Sequence, residues 1–118
     1  MYITLKLSGN LPKNTAVSYD SSAGLWTTAQ NTDALIGIIK NDPFQDPETL
    51  AWYAPVVISG QDLYISAARQ IPDEGGFMHI ENGKAYVNNS SWGCGIIAPR
   101  NFDAETRQTD DLILVHLR

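Results

Sequence analysis

The chain has 118 residues, 43% hydrophobic and 18% charged, which is the composition of one folded domain and excludes a disordered chain. Its net charge of −5 argues against nucleic-acid binding, which requires a cationic surface. The apolar runs are too short to cross a bilayer, and no signal-peptide pattern is visible, so we expect no membrane contact and synthesis in the cytoplasm. The single cysteine, Cys94, excludes an internal disulfide.

In chain order, the predicted elements are short β-strands between closely spaced Gly and Pro residues. The first strand covers residues 2–7, where Ile3, Leu5 and Leu7 share one face. Further strands are predicted at 34–39, 55–59, 62–66, 76–81, 84–87 and 111–117. Gly60-Gln61 is expected to join two of them in a tight hairpin or bulge, and Asn82-Gly83 is the strongest hairpin signal.

Helical signals are confined to two short stretches. Residues 47–53 have Pro47 at a plausible first helical position behind Asp46 as N-cap. Residues 101–108 are polar and favour a loop or a single turn. The sequence therefore predicts an all-β fold: one domain over residues 1–118, a small compact barrel or sandwich with at most one or two short helical turns.

A weak internal repeat divides the chain into residues 11–66 and 71–117. Leu11-Pro12 matches Ile71-Pro72, and the Gly-Ile-Ile run at 37–39 matches the run at 95–97. The glycine of each run is expected where a strand bends or another backbone approaches closely. Two β-hairpin units packed together would give pseudo-twofold character.

The titratable residues do not form a convincing catalytic or metal-binding pattern. Cys94 lies in an apolar strand approach, and His79 and His116 are isolated strand histidines without metal-ligand spacing. The carboxylates fall mostly in predicted turns, and the acidic stretch 42–48 lacks the spacing of a calcium-binding loop. We therefore expect no enzyme activity, no metal and no cofactor.

The aromatic residues are the more informative candidates. Trp26, Trp52 and Trp92 lie in or beside predicted turns. Trp and Tyr dominate the energetics of protein interfaces, so part of this set is expected to form packed contacts. Aromatic side chains in β-loops also stack on sugar rings, so a carbohydrate- or receptor-binding module of a virion or cell surface remains an alternative.

Taken together, these motifs resemble the small head decoration, or capsid cement, proteins of tailed bacteriophages. The resemblance rests on L-P-x-x-T-A-V, T-D-A-L-I-G-I-I, I-P-x-x-G-G, N-G-K-A and the terminal D-D-L-I-L-V-H-L, and it covers nearly the whole chain. Positions matching the family pattern are fold positions: Ala34, Ile36, Gly37, Gly95, Ile96, Ile97, Asp111, Ile113 and Val115.

The resemblance implies a structural virion protein on the capsid exterior whose partner is the major capsid protein. It also implies self-association, commonly as a trimer. A dimer is the main competitor, because the internal repeat gives pseudo-twofold surfaces. The stretch 41–53 is longer and more aromatic than the family pattern, which makes it a candidate contact. The candidate residues for capsid or subunit interfaces are Phe44, Trp52, Tyr53, Trp92, Tyr2 and Trp26.

Overall fold

The computed structural model describes residues 2–32, 35–100 and 107–118, and it confirms the all-β prediction. No α-helix occurs in these ranges, and none of their segments is a helix able to cross a membrane. The strands are β1 (Tyr2–Leu7), β2 (Ala16–Asp20), β3 (Leu25–Thr28), β4 (Ile36–Ile39), β5 (Phe44–Gln45), β6 (Trp52–Val57), β7 (Gln61–Ser66), β8 (Gly76–Glu81), β9 (Lys84–Val87), β10 (Gly95–Ile97) and β11 (Leu112–Leu117).

The first sheet closes on itself as a five-stranded mixed barrel. Its strands follow the order β1-β3-β2-β4-β6, and β6 pairs back to β1 over six residues. Only the β1–β3 contact, through Leu7 and Trp26, is parallel. The short strand β5 pairs with Trp52 and Tyr53, the first two residues of β6. The apolar face predicted for β1 is confirmed for Leu5 and Leu7, which pack with Val17 and Val56, whereas Ile3 is 44% exposed.

Strands β7, β8, β9, β10 and β11 of the second sheet correspond to β1, β2, β3, β4 and β6 of the first. Their order, β7-β11-β10-β8-β9, is the order of the first sheet followed in the opposite direction around the barrel. A single parallel bridge between Ala67 and Ala85 connects the two edges of the second sheet, and it corresponds to the parallel contact of Leu7 with Trp26. Each sheet therefore pairs its first strand with its last and brings its third strand beside its first.

The pairing registers extend this correspondence to individual residues. Gly37 pairs with Val17 in the first sheet, and Gly95 pairs with Met78 in the second. The Ser8 amide donates to the Trp26 carbonyl at 2.8 Å, and the Ala68 amide donates to the Ala85 carbonyl at 2.7 Å. We call residues 2–58 the first unit and 61–117 the second unit, because each contains one such sheet.

The hairpin predicted at Gly60-Gln61 is wrong, and with it the assignment of residues 61–66 to the first repeat copy. Val57 pairs with Ile38 in the first sheet, whereas Gln61 pairs with Leu117 in the second. The Gly60 amide donates to the Leu117 carbonyl at 2.8 Å. The segment around Gly60 thus connects the first sheet to the second, and the strand that follows it is the first strand of the second unit.

The helical candidate at 47–53 forms a single turn, which is within the one or two short helical turns expected. The chain makes one turn, in which the Leu50 amide donates to the Asp46 carbonyl at 2.8 Å. Leu50 then adopts a φ of 62°, which stops any helix, and β6 begins at Trp52. Asp46 does act as a cap, since its Oδ1 accepts the Glu48 amide at 3.0 Å. Most of the second candidate, 101–106, lies outside the described residues.

The two units share a buried core. Ile36, Ile38 and Val57 of the first unit belong to the same hydrophobic cluster as the interior of the second sheet. A separate cluster around Leu7 and Ile39 fills the first barrel. The body measures 46 × 26 × 23 Å, as expected for two small β-units set in a row.

Candidate interaction surfaces

The stretch 41–53 folds into a short hairpin that presents two stacked aromatic rings. Phe44 and Tyr53 are directly paired across β5 and β6, with ring centroids 5.9 Å apart and planes 25° from parallel. Phe44 is 54% exposed. Trp52, next in sequence, points to the other face and packs against the core of the first barrel. Strand alternation therefore separates these neighbours into a surface pair and a half-buried packing residue.

The connecting turn holds this aromatic pair in place. Hydrogen bonds from the Glu48 amide and the Thr49 hydroxyl lower the pKa of Asp46, since both favour the charged carboxylate. The Gln45 Nε2 donates to the Leu50 carbonyl at 3.0 Å across the base of the turn. The local sequence thus closes the hairpin by its own polar groups, and Phe44 is left on its outer side.

A second aromatic surface lies on the outer face of the second sheet. Phe77 and Trp92 contact each other with ring centroids 4.8 Å apart, and Trp92 is 49% exposed. The Arg118 guanidinium lies 5.6 Å from the Trp92 ring centroid. Ile96 pairs directly with Phe77 and is itself 44% exposed. These residues form a continuous apolar and aromatic patch.

An apolar groove of about 300 Å³ continues this patch toward β11. Ile96, Pro99 and Leu114 contribute to its lining. At one end, His116 Nδ1 and Asp62 Oδ1 lie 2.7 Å apart. The groove therefore combines an apolar floor with one polar pair, a combination common in protein contact sites.

The remaining sequence candidates lie elsewhere. Trp26 is half-buried, packs on the first barrel core and touches Tyr19 at a centroid distance of 5.8 Å. Tyr2 forms the first backbone pair of β1, opposite Val57, while its side chain lies outside the described part of the structure. The six candidates therefore do not converge on one site, because Phe44 with Tyr53 and Trp92 belong to different units.

The candidate set did not include Tyr19 and Ile96, which are 52% and 44% exposed, or Phe77, whose ring contacts Trp92. Tyr19 is exposed although it lies on the same face of β2 as the fully buried Val17. In the repeat, Ile96 corresponds to Ile38, since each is the first isoleucine of a Gly-Ile-Ile run. The sequence alone could not show that Ile38 is buried and Ile96 is exposed.

A polar cavity of about 440 Å³ lies beside His79, with Asn31, Tyr86 and Asn88 contributing to its lining. The His79 ring is 8% exposed and lies 5.8 Å from the Tyr86 ring. Its Nε2 is 3.2 Å from the Ser91 carbonyl oxygen and 3.3 Å from the Ser91 hydroxyl. Amide, hydroxyl and aromatic groups thus meet at one opening.

Cys94 is placed as a packing residue. Burial raises the pKa of its thiol from 9.0 to about 11, which disfavours the reactive thiolate. The sulfur contacts the Met78 carbonyl oxygen at 3.6 Å and packs against the shared core. No group of three or more metal-ligating side chains occurs within residues 2–32, 35–100 and 107–118.

Searches of protein-family models, curated proteins and solved structures found no match to this chain.

Proposed function

We propose that this chain is a structural protein of a tailed-bacteriophage virion that binds the outer surface of the assembled capsid and stabilises it. The sequence resemblance to head decoration proteins motivates the proposal. The expected partner is the major capsid protein. The expected location is the capsid exterior, after synthesis in the host cytoplasm.

The observation that carries the proposal is the presence of an exposed aromatic surface on each unit. Phe44 with Tyr53 forms the first, and Phe77 with Trp92 forms the second. A cement protein must contact the shell and also a neighbouring subunit or copy of itself. Two separate surfaces of this kind on an elongated body suit that requirement, since large aromatic side chains supply most of the energy at protein interfaces.

The junction between the units supports the same reading. The Ser66 amide donates to the Asn14 carbonyl at 3.2 Å, and the Ile80 amide donates to the Thr32 hydroxyl at 3.0 Å. These bonds and the shared core fix the two surfaces relative to each other. A rigid bivalent body loses little conformational freedom on binding, so more of its contact energy stabilises the shell by linkage.

We assign the capsid contact to Phe44 and Tyr53, and self-association to the surface around Trp92. The expected assembly is a trimer, with a dimer as the competitor. Several linked copies engage the shell at once and gain avidity through effective concentration. Light scattering of the purified protein distinguishes these states by mass.

Co-sedimentation with undecorated phage heads tests capsid binding. We expect the wild-type chain to sediment with heads and Phe44→Ala to remain in the supernatant. Tyr64→Ala is the matched control, because Tyr64 is also a half-exposed aromatic strand residue (45%) but lies on the second sheet. Failure of the wild-type chain to bind heads, or equal loss in both variants, would contradict the proposal.

The alternative is a carbohydrate- or receptor-binding module, and the cavity beside His79 is the observation that favours it. Its amide and hydroxyl groups match sugar hydroxyls, and Tyr86 offers an aromatic face. One face of Tyr86 is taken by the Arg69 guanidinium, 4.1 Å from the ring centroid. Retention of the wild-type chain on a glycan array, lost in Asn88→Ala, together with no binding to heads, would establish this alternative.

A further inference from the structure

The contact between the two units is built from two different faces, which we call the acceptor face and the inserting end. The acceptor face belongs to the first unit and contains Ala16, Ile38 and Val57, all fully buried. The inserting end belongs to the second unit and contains Ile80 and the turn at Gly83. The Gly83 amide donates to the Ala29 carbonyl at 2.7 Å, and its carbonyl accepts the Ala16 amide at 2.8 Å.

Because the two sheets share one register, the second unit contains a counterpart of the acceptor face. Phe77 takes the place of Ala16, Ile96 that of Ile38, and His116 that of Val57. Ile38 is 0% exposed, whereas Ile96 is 44% exposed. The face that the second unit covers on the first is therefore open on the second unit itself.

The first unit likewise contains a counterpart of the inserting end. Tyr19 takes the place of Ile80, and the turn at 21–24 takes the place of Asn82-Gly83. Ile80 is 2% exposed in the junction, whereas Tyr19 is 52% exposed. Ile3, the counterpart of Leu63, is likewise 44% exposed. Each half of the internal contact thus recurs without a covering unit.

We propose that a second copy of this chain docks head to tail, placing Tyr19 and the 21–24 turn of one copy on the Phe77–Ile96 face of the next. The contact repeats between chains the arrangement that joins the two units within a chain. It deepens the self-association of the proposed function and rests on that part alone, independently of capsid binding. Such a heterologous contact closes into a ring or extends as a filament, according to its rotation.

Two differences distinguish the proposed contact between copies from the junction within one chain. The Phe77 amide donates to Asn89 Oδ1 at 2.9 Å, so the site of the Ala16–Gly83 bond is already satisfied. The 21–24 turn is two residues longer than Asn82-Gly83. Contact between copies therefore relies on apolar side chains, and Ile96 with Trp92 supplies the larger area that such a contact requires.

Light scattering on three lysine variants tests the proposal without any phage heads. We expect the wild-type mass to be a multiple of 13.0 kDa, and Tyr19→Lys and Ile96→Lys each to fall to 13.0 kDa. Leu112→Lys is the matched control: Leu112 is also 44% exposed on the same sheet face, but its counterpart Tyr53 lies outside the junction. It should keep the wild-type mass.

Mixing the two disruptive variants gives the decisive result. Tyr19→Lys retains an intact Ile96 face, and Ile96→Lys retains an intact Tyr19 end. The mixture should therefore form a 1:1 complex of twice the single-chain mass and nothing larger. A wild-type chain of single-subunit mass, a mixture that stays monomeric, or equal disruption by Leu112→Lys would overturn the proposal.

Circular dichroism establishes that each variant is folded before its mass is read. If Ile96→Lys unfolds the chain, Ile96→Thr replaces it, since threonine keeps the β-branched shape of the strand residue. Failure of self-association leaves binding of single chains to heads measurable, so this proposal and capsid binding fail separately.

Discussion

Gly37 lies so close to Val56 that a β-carbon on Gly37 would stand 2.3 Å from Val56 Cγ1. The contact lies between β4 and β6 inside the first barrel, where both residues are buried. Gly95, its counterpart, has an equivalent restriction, since a β-carbon there would lie 2.2 Å from the His116 carbonyl oxygen. The prediction that these glycines mark close approaches of backbone is thus confirmed at Gly95, while at Gly37 the neighbour is a side chain.

Gly37→Ala should destabilise the fold by about 1–3 kcal/mol through overpacking. Urea unfolding followed by tryptophan fluorescence measures the loss. Gly9→Ala is the control, because no atom lies within 4 Å of the added β-carbon. Adding Val56→Ala should recover part of the loss by removing the clashing methyl group; a purely additive double variant would contradict this cause.

Gly83→Ala should destabilise more than Gly60→Ala. Both glycines have positive φ, 77° and 66°, so each substitution costs about 1–2 kcal/mol in backbone strain. Only Gly83 is also crowded, with Thr15 Cγ2 2.7 Å from the added β-carbon, and this should add about 1–3 kcal/mol. Equal unfolding free energies for the two variants would show that the Gly83 turn does not tightly join the units.

Ile38→Ala should cost about 2–5 kcal/mol of unfolding free energy, because it opens a cavity in the shared core. Ile96→Ala, at the corresponding register position but 44% exposed, should cost less than about 1 kcal/mol in dilute solution. Chemical denaturation at low protein concentration keeps self-association out of the comparison. Similar losses for both would mean that Ile96 is covered within a single chain.

Cys94 should make stability fall as the pH rises from about 9 to 11. Burial raises the thiol pKa from 9.0 to about 11, so over this range the unfolded chain loses the proton while the folded chain keeps it. The contribution of the protonated Cys94 thiol to the free energy of unfolding is complete below pH 9. It is lost as the pH rises through the pKa of this thiol in the folded chain, about 11. The contribution amounts to at most about 3 kcal/mol of unfolding free energy.

Comparison with Cys94→Ala isolates this effect from the other changes that the protein undergoes over the same pH range. The difference in unfolding free energy between wild type and variant should shrink steadily above pH 9. The folded thiol should also react slowly with iodoacetamide at pH 8 and rapidly in denaturant. A difference that does not vary with pH would contradict the raised pKa.

The sequence determined the elements whose signals are local. Period-two alternation identified Tyr2–Leu7, and turn chemistry identified Asn82-Gly83, whose φ values of 50° and 77° match a tight hairpin turn. The repeat was visible because its prolines and glycines hold positions that the backbone requires. These features depend on a few neighbouring residues, so they can be read without knowing what packs where.

Only the tertiary structure decided how the elements are shared between sheets and which faces are open. The stretches 55–59 and 62–66 look like one hairpin in sequence, yet the strands that contain them, β6 and β7, form their six-residue pairings with β1 and β11. Strand pairing is set by burial between distant segments, which alternation within one strand does not encode. For the same reason Ile38 and Ile96 look alike in sequence. Only the tertiary structure shows that the second unit covers Ile38, whereas Ile96 stays 44% exposed.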